Sequence, residues 1–272
     1  MSNSIKLSSP STHQFWEIPV LFEDEHLLVL DKPSGLLSSP QDAEEQRPNL
    51  LQLLHNAIAQ GKPWTRERRL TYVRNVERLD AEASGLLLLA KNKTALEALT
   101  NLFSSEKPCK AFIALVQGRP NQQNFTVEAK ISPYPARAGM MHVDPGGKRA
   151  RSTFQVFESF AGWTLLRAKP LTHRPHQLRL HLLRVKLPLV GDGLYGGSPL
   201  LLSKLKPGYR LKPNRVERPL MDHPALHAEE IAFPHPVSGI SMRVRAPWPK
   251  DLTVAIKYLR IYAATGENQP LA

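Results

Sequence analysis

The sequence predicts an α+β fold: a mixed, largely antiparallel central sheet with flanking helices. Three observations lead there. Short β-rich runs follow one another with only Gly, Pro or Asn breaks between them. Helical periodicity is confined to a few amphipathic stretches, so strands are not alternating with helices in βαβ fashion. No Gly-rich phosphate loop follows a strand, which argues against nucleotide-cofactor folds. The expected organisation is a mobile, Ser-rich tail over 1–17 and one domain over 18–272.

The elements follow in order. "IPVLFEDEHLLVLDKPSG" reads as two strands joined by the acidic turn Glu23-Asp24-Glu25 and closed by a Pro-Ser-Gly break. "NLLQLLHNAIAQG" (49–61) has helical spacing, with Asn49 as N-cap and Gly61 as stop. A basic stretch, "KPWTRERRLTYVRNVER", leads into "RLDAEASGLLLLAKN", where four consecutive leucines make a strand apolar on both faces. "NKTALEALTNLFSSEK" (92–107) is an amphipathic helix capped by Asn92. "CKAFIALVQG", "FTVEAKI", "RSTFQVFESF" and "WTLLRAKP" read as strands, "HQLRLHLLRVK" (176–186) as a helix, "ISMRVRAPWP" as a late strand, and "KDLTVAIKYLRIYA" as a closing amphipathic helix.

Charge limits the function. Thirty-six Lys+Arg face 24 Asp+Glu, a formal charge of +12 and a pI near 9.9. That excess points to a polyanionic partner, nucleic acid or an acidic membrane surface, with a merely solubilising surface as the alternative. The N-terminus has no apolar signal core, and no apolar run approaches the ~18 residues of a membrane span. The single cysteine, Cys109, excludes an intrachain disulfide and suits a reducing compartment. The expectation is a cytoplasmic protein.

Four segments could carry chemistry. Asp80 stands at the mouth of the leucine strand, where a carboxylate costs free energy unless paired; a turn aspartate bonded to nearby backbone would account for it equally well. Glu77 and Glu82, on either side, are expected to be solvated. In "THRPHQLRLHLLR" (172–184), His176 and His181 lie ~140° apart around a helix, and Arg174 and Arg179 would repel a cation, so metal ligation is disfavoured. Arg179, three residues after His176, could share a helix face with it, and a buried arginine needs an anion, for which Asp80 is the evident choice. "LHAEEIAFPHP" (226–236) holds His227 and His235. "KLKPGYRLKPNRVER" (204–218) reads as an exposed basic loop long enough to touch phosphates, or as a solvated linker.

As a set, these segments resemble the RluA-type pseudouridine synthases. "ERLDAEASGLLLLAKN" is similar to that family's H-R-L-D-x-x-T-S-G-L-L-L-x-A-K-N, "CKAFIALVQG" to its K-x-Y-x-A-x-V-x-G strand, and "LTHRPHQLRLHLLRVKLPLVGDGLYG" to L-x-T-G-R-T-H-Q-I-R-V-H with the following P-I-x-G-D-x-x-Y-G. "LHAEEIAFPHP" is similar to L-H-A-x-x-x-x-F-x-H-P, and "HLLVLDKPSGLL" to the family's early strand and K-P-x-G turn. The resemblance runs from about residue 18 to 247. It implies isomerisation of uridines in ribosomal or transfer RNA to pseudouridine, without metal or cofactor, by a cytoplasmic monomer that does not engage membranes. It implies Asp80 as nucleophile, reached by a flipped-out uridine, and Arg179 as its partner. Phe112 would stack on the uracil, Leu180 would line the pocket, and Arg78, Arg174, His176 and Gln177 would contact substrate. Only about 17 residues precede the first expected strand, so no S4-like RNA-binding module is expected.

Departures from the pattern include Glu77 for His, His173 for Gly, Pro175 for Thr, and Phe112 for the usual Tyr, which removes a side chain that could exchange a proton. Two rivals are an inactive RNA-binding protein of the same fold and a metal-dependent RNA-processing enzyme using Asp80 and Glu82. Asp80 and Arg179 together speak against the first. The missing ligand cluster speaks against the second.

Overall fold

A computed structural model of the chain describes residues 3–40, 46–104, 109–211 and 214–265. They form two compact units, each built from two chain segments: 1–110 with 228–247, and 111–227 with 248–272. Two of the crossings, at 110–111 and 227–228, fall inside continuous strand sequence, so composition holds no linker that would mark them.

The first unit is a sheet with three helices. Its strands are β1 (Ser4–Ser9), β2 (Gln14–Glu23), β3 (Leu27–Lys32), β4 (Arg74–Asn75), β5 (Ser84–Ala90), and, after the second unit, β11 (Leu226–Pro234) and β12 (Ser241–Arg245). They lie in the order β1-β2-β3-β5-β11, with β4 also on β5 and β12 on β11. The pairs β1–β2, β2–β3, β3–β5 and β11–β12 are antiparallel. The expected tail is half of a hairpin: Ile5 and Leu7 alternate inward and pair with Ile18 and Trp16. Only two apolar residues, spaced by two in a Ser-rich context, mark that strand.

All seven residues of β5 are buried, as the unbroken apolar run requires. Helix α1 (Leu50–Ala59) starts where Asn49 accepts the Gln52 N–H at 2.9 Å. Helix α3 (Lys93–Ser104) starts where Asn92 accepts the Ala95 N–H at 2.8 Å, and it packs on β5. The basic stretch hides a short helix, α2 (Pro63–Glu67), after which Arg68 turns inward to Glu23.

The second unit holds β6 (Cys109–Gln117) from Ala111 onward, its first two residues belonging to the first unit, with β7 (Asn124–Pro133), β8 (Met141–Val143), β9 (Lys148–Phe160) and β10 (Trp163–Pro170), in the order β6-β10-β9-β7-β8, each pair antiparallel. Helix α5 (Lys250–Tyr262) buries Leu252, Ala255, Ile256 and Leu259, one helical stripe, against Ile113 and Leu115 of β6 and Leu165 of β10. Helix α4 (Gln177–Arg184) is shorter than the spacing predicts, for a reason that bears on the site. Among the described residues of the 204–218 segment, Lys204, Lys206, Arg210, Arg215 and Arg218 are exposed, as expected; Lys212 lies outside the described residues. Among the described residues, no helix is long and apolar enough to cross a membrane.

Candidate active site

In the first unit the centre of interest is the loop that delivers Asp80 to the start of β5. Asp80 is half-buried and Arg78 exposed. The backbone on both sides of Asp80 is tied down. The Ser38 hydroxyl donates to the Leu79 carbonyl at 2.7 Å and accepts the Leu79 N–H at 3.1 Å. The Ala81 carbonyl accepts from the Gly35 N–H at 2.8 Å and from the Lys32 ammonium at 3.0 Å. The Ser34 hydroxyl reaches the Glu82 carbonyl at 2.6 Å, and the Ala83 N–H closes a turn onto the Asp80 carbonyl at 3.2 Å.

Lys32 is fully buried, its ammonium donating also to the Pro33 and Leu36 carbonyls at 2.8 and 2.7 Å. Burial pushes its pKa down to about 7; the negative charges of Asp80 and Glu82 oppose that, while Lys110 adds to it. Next to it in sequence, Asp31 is pushed up to about 6 by burial, with the charge of Lys32 opposing.

Glu77 corrects an expectation. It is not solvated: its carboxylate is held by the Lys110 ammonium, with side-chain exposures of 10% and 2%. Lys110 also donates to the Leu86 carbonyl of β5 at 3.0 Å.

Gly85 explains the S-G pair ahead of the leucines. It has φ +105°, and a Cβ there would lie 2.3 Å from the Ala228 carbonyl oxygen and 2.7 Å from its nitrogen. Only glycine lets β11 approach β5 this closely while taking that backbone angle.

In the second unit the residues gather around Arg179, on α4. Its Nε and Nη2 each donate to one oxygen of Asp192 at 2.7 Å, a two-pronged pair whose side chains are 2% and 1% exposed. Within its own unit, then, the buried arginine's carboxylate is Asp192, from the G-D-x-x-Y-G segment. The guanidinium also sits 4.9 Å above the ring of Tyr195, from the same segment.

His176 is not part of the helix. It caps α4 with φ 54° and ψ 19°, left-handed geometry that costs a residue with a Cβ roughly 1–2 kcal/mol. The helical face it was expected to share with Arg179 therefore does not exist. The two meet instead on Tyr195: His176 Nδ1 lies 2.7 Å from the phenol oxygen, which also bonds the Met141 backbone through its carbonyl at 3.2 Å and its N–H at 3.0 Å.

Gln177 was expected to contact substrate, and its amide is committed within the protein. Its oxygen accepts from Thr172 Oγ1 and the Arg174 N–H at 2.9 and 3.1 Å; its nitrogen donates to the Arg151 carbonyl and Ser152 Oγ at 3.0 and 2.9 Å. It shapes the 172–174 loop. Arg174 is half-buried, with Nη1 on the His173 carbonyl at 3.0 Å and a buried Nε that has no partner among the described residues. Phe112, on β6 opposite Ala168, is buried; Leu180 packs with Ile131, Ala150 and Tyr195.

The expected site residues thus fall into two sets, Arg78 and Asp80 in one unit, and Phe112, Arg174, His176, Gln177, Arg179 and Leu180 in the other. Lys32, Ser38, Asp192 and Tyr195 had no role assigned from sequence, although three of them stand in the K-P-x-G and G-D-x-x-Y-G segments.

Residues 26–184 match the RNA pseudouridylate synthase family. The chain is 32% identical over 262 residues to ribosomal large subunit pseudouridine synthase D of Nitrosomonas europaea, covering 96% of this chain and 71% of that protein. It is 30% identical over 243 residues to the protein of the same name in Escherichia coli K12, covering 89% and 71%. The fold is similar to that of human RNA pseudouridylate synthase domain containing 4, with a TM-score of 0.64 at 21% identity over 89% of this chain and 92% of that one. The chain belongs to the RNA pseudouridine synthases of the RluA type, enzymes that isomerise uridines in RNA to pseudouridine.

Proposed function

We propose that this chain isomerises uridines of large-subunit ribosomal RNA, with Asp80 as the nucleophile and Arg179 as the cation that pairs with it. The supporting observation is the loop around Asp80. Main-chain groups at 79, 80, 81 and 82 are each hydrogen-bonded, so the carboxylate is presented by a preorganised backbone. The ribosomal substrate rests on the relatives, whose name specifies the large subunit.

The reaction is an isomerisation with no net oxidation or reduction. The Asp80 carboxylate bonds to C1′ as the C1′–N1 bond breaks, and the electron pair of that bond leaves with N1. The uracil then rotates, C5 bonds to C1′ as the C1′–Asp80 bond breaks and frees the carboxylate, the proton on C5 leaves to solvent, and N1 takes one up. Phe112 stacks on the ring, Leu180 supports the pocket wall, and Arg78 and Arg174 reach phosphates near the flipped nucleotide. The enzyme works in the cytoplasm, as a monomer and without a metal.

The test is Asp80→Asn, which keeps the size and shape of the side chain while removing the nucleophile. Pseudouridine formation on a large-subunit ribosomal RNA fragment should be abolished, with RNA affinity within a few-fold of wild type. Near-normal turnover in the variant would refute the assignment.

A further inference from the structure

We infer that Glu77 and Lys110 act as a positioning pair for the nucleophile, holding the Asp80 loop in register with β5; this rests on the reading of Asp80 as nucleophile. The loop needs an anchor at its leading end. After Asp80 the backbone is tied by Lys32, Gly35 and Ser34, and at Leu79 by Ser38. Upstream, the Val76 N–H reaches the Leu88 carbonyl at 3.2 Å, and the next residue, Glu77, is gripped by Lys110. The same ammonium donates to the Leu86 carbonyl at 3.0 Å. One buried cation thus links the residue three before Asp80 to the strand that begins four after it.

Charge gives the pair a second task. Lys32 and Lys110 are both buried, and Lys110 disfavours the charge of Lys32; the groups acting on Lys32 are Asp80, Glu82, Lys110 and Asp31. Glu77 compensates Lys110 directly. Without it, a second unbalanced cation would act on Lys32, whose ammonium holds the Ala81 carbonyl next to the nucleophile. A histidine at 77, the residue of the related motif, could not supply that negative charge. In this chain the acid at 77 and the lysine at 110 form one device.

The experiment is a cycle of Glu77→Gln, Lys110→Met and their double variant, with Glu77→Asp added because it keeps the charge and only shortens the reach. Single-turnover rates at saturating enzyme, RNA Kd and thermal midpoint are measured for each. Glu77→Gln and Lys110→Met should each slow the chemical step at least tenfold with RNA Kd within twofold of wild type. The double variant should be no slower than the worse single one, since the pair acts as a unit. Glu77→Asp should fold with a near-normal midpoint and lose several-fold in rate alone. Multiplying rate losses in the double variant would overturn the inference. So would a Glu77→Asp that is stable and fully active, or a loss confined to the thermal midpoint. Failure of the nucleophile reading would look different: Asp80→Asn would stay active with the pair intact.

Discussion

Arg179 shows what a single buried cation commits a fold to. Asp192 already takes two of its N–H groups in a fully buried fork, and Tyr195 supports its plane. Arg179→Ala would strand Asp192 as a lone buried carboxylate, a defect worth ~3–5 kcal/mol, and should nearly abolish turnover. Arg179→Lys should also fare badly, because an ammonium cannot reproduce the fork. Denaturation and turnover assays of both variants check this; an Arg179→Ala protein that melts and turns over like wild type would contradict it. Phe112 is the other informative residue. If position 112 required a proton-exchanging group, Phe112→Tyr should raise the rate sharply. The stacking account expects no such gain and a slower Phe112→Leu, since base stacking on an aromatic is worth ~1–3 kcal/mol. Single-turnover rates for the three side chains decide between the two.

At the level of elements, much of the fold can be read from residue types, because local chemistry determines it. Asn49 and Asn92 cap the helices their positions predict, and four leucines make a buried strand. Legibility fails where the cause is long-range. β1 rests on Ile5 and Leu7 alone, and β8 is three residues long. No periodicity tells that Lys32 will gather carbonyls from Pro33, Leu36 and Ala81, or that Asp192 will lock onto Arg179 thirteen residues away. His176 misleads for a local reason: it sits directly after Pro175 and takes a left-handed cap rather than the first helical turn.

Two element-scale predictions follow from such contacts. Gly85→Ala would drive a Cβ into the Ala228 backbone and should destabilise the first unit by several kcal/mol, on the order of 3 or more; a variant within 1 kcal/mol of wild type in denaturant would show that β11 yields easily. His181, buried in α4 with Nδ1 on the Ser152 hydroxyl at 3.0 Å, has its pKa pushed down to about 4, by burial first and then by the charge of Arg184. The fold therefore prefers the neutral ring. Its contribution is fully present above about pH 6.5 and is lost as the pH falls through 4, a swing of roughly 3 kcal/mol. His181→Gln should flatten the stability curve between pH 6.5 and 4. Parallel curves for the two proteins would remove His181 from the acid response.

For the whole molecule, the excess of 12 positive charges is legible from composition and agrees with an RNA substrate. The two-unit division is not legible, since the chain crosses between units within strand sequence. The central claim is that this chain, through Asp80, makes pseudouridine in large-subunit ribosomal RNA. It is tested most directly by mapping pseudouridines in ribosomal RNA from cells that lack the gene and carry either the wild-type chain or Asp80→Asn. The account predicts that one or more large-subunit uridines lose modification in the null strain, regain it with the wild-type chain, and stay unmodified with Asp80→Asn. Restoration of those sites by Asp80→Asn, or no lost site in the null strain, would contradict it.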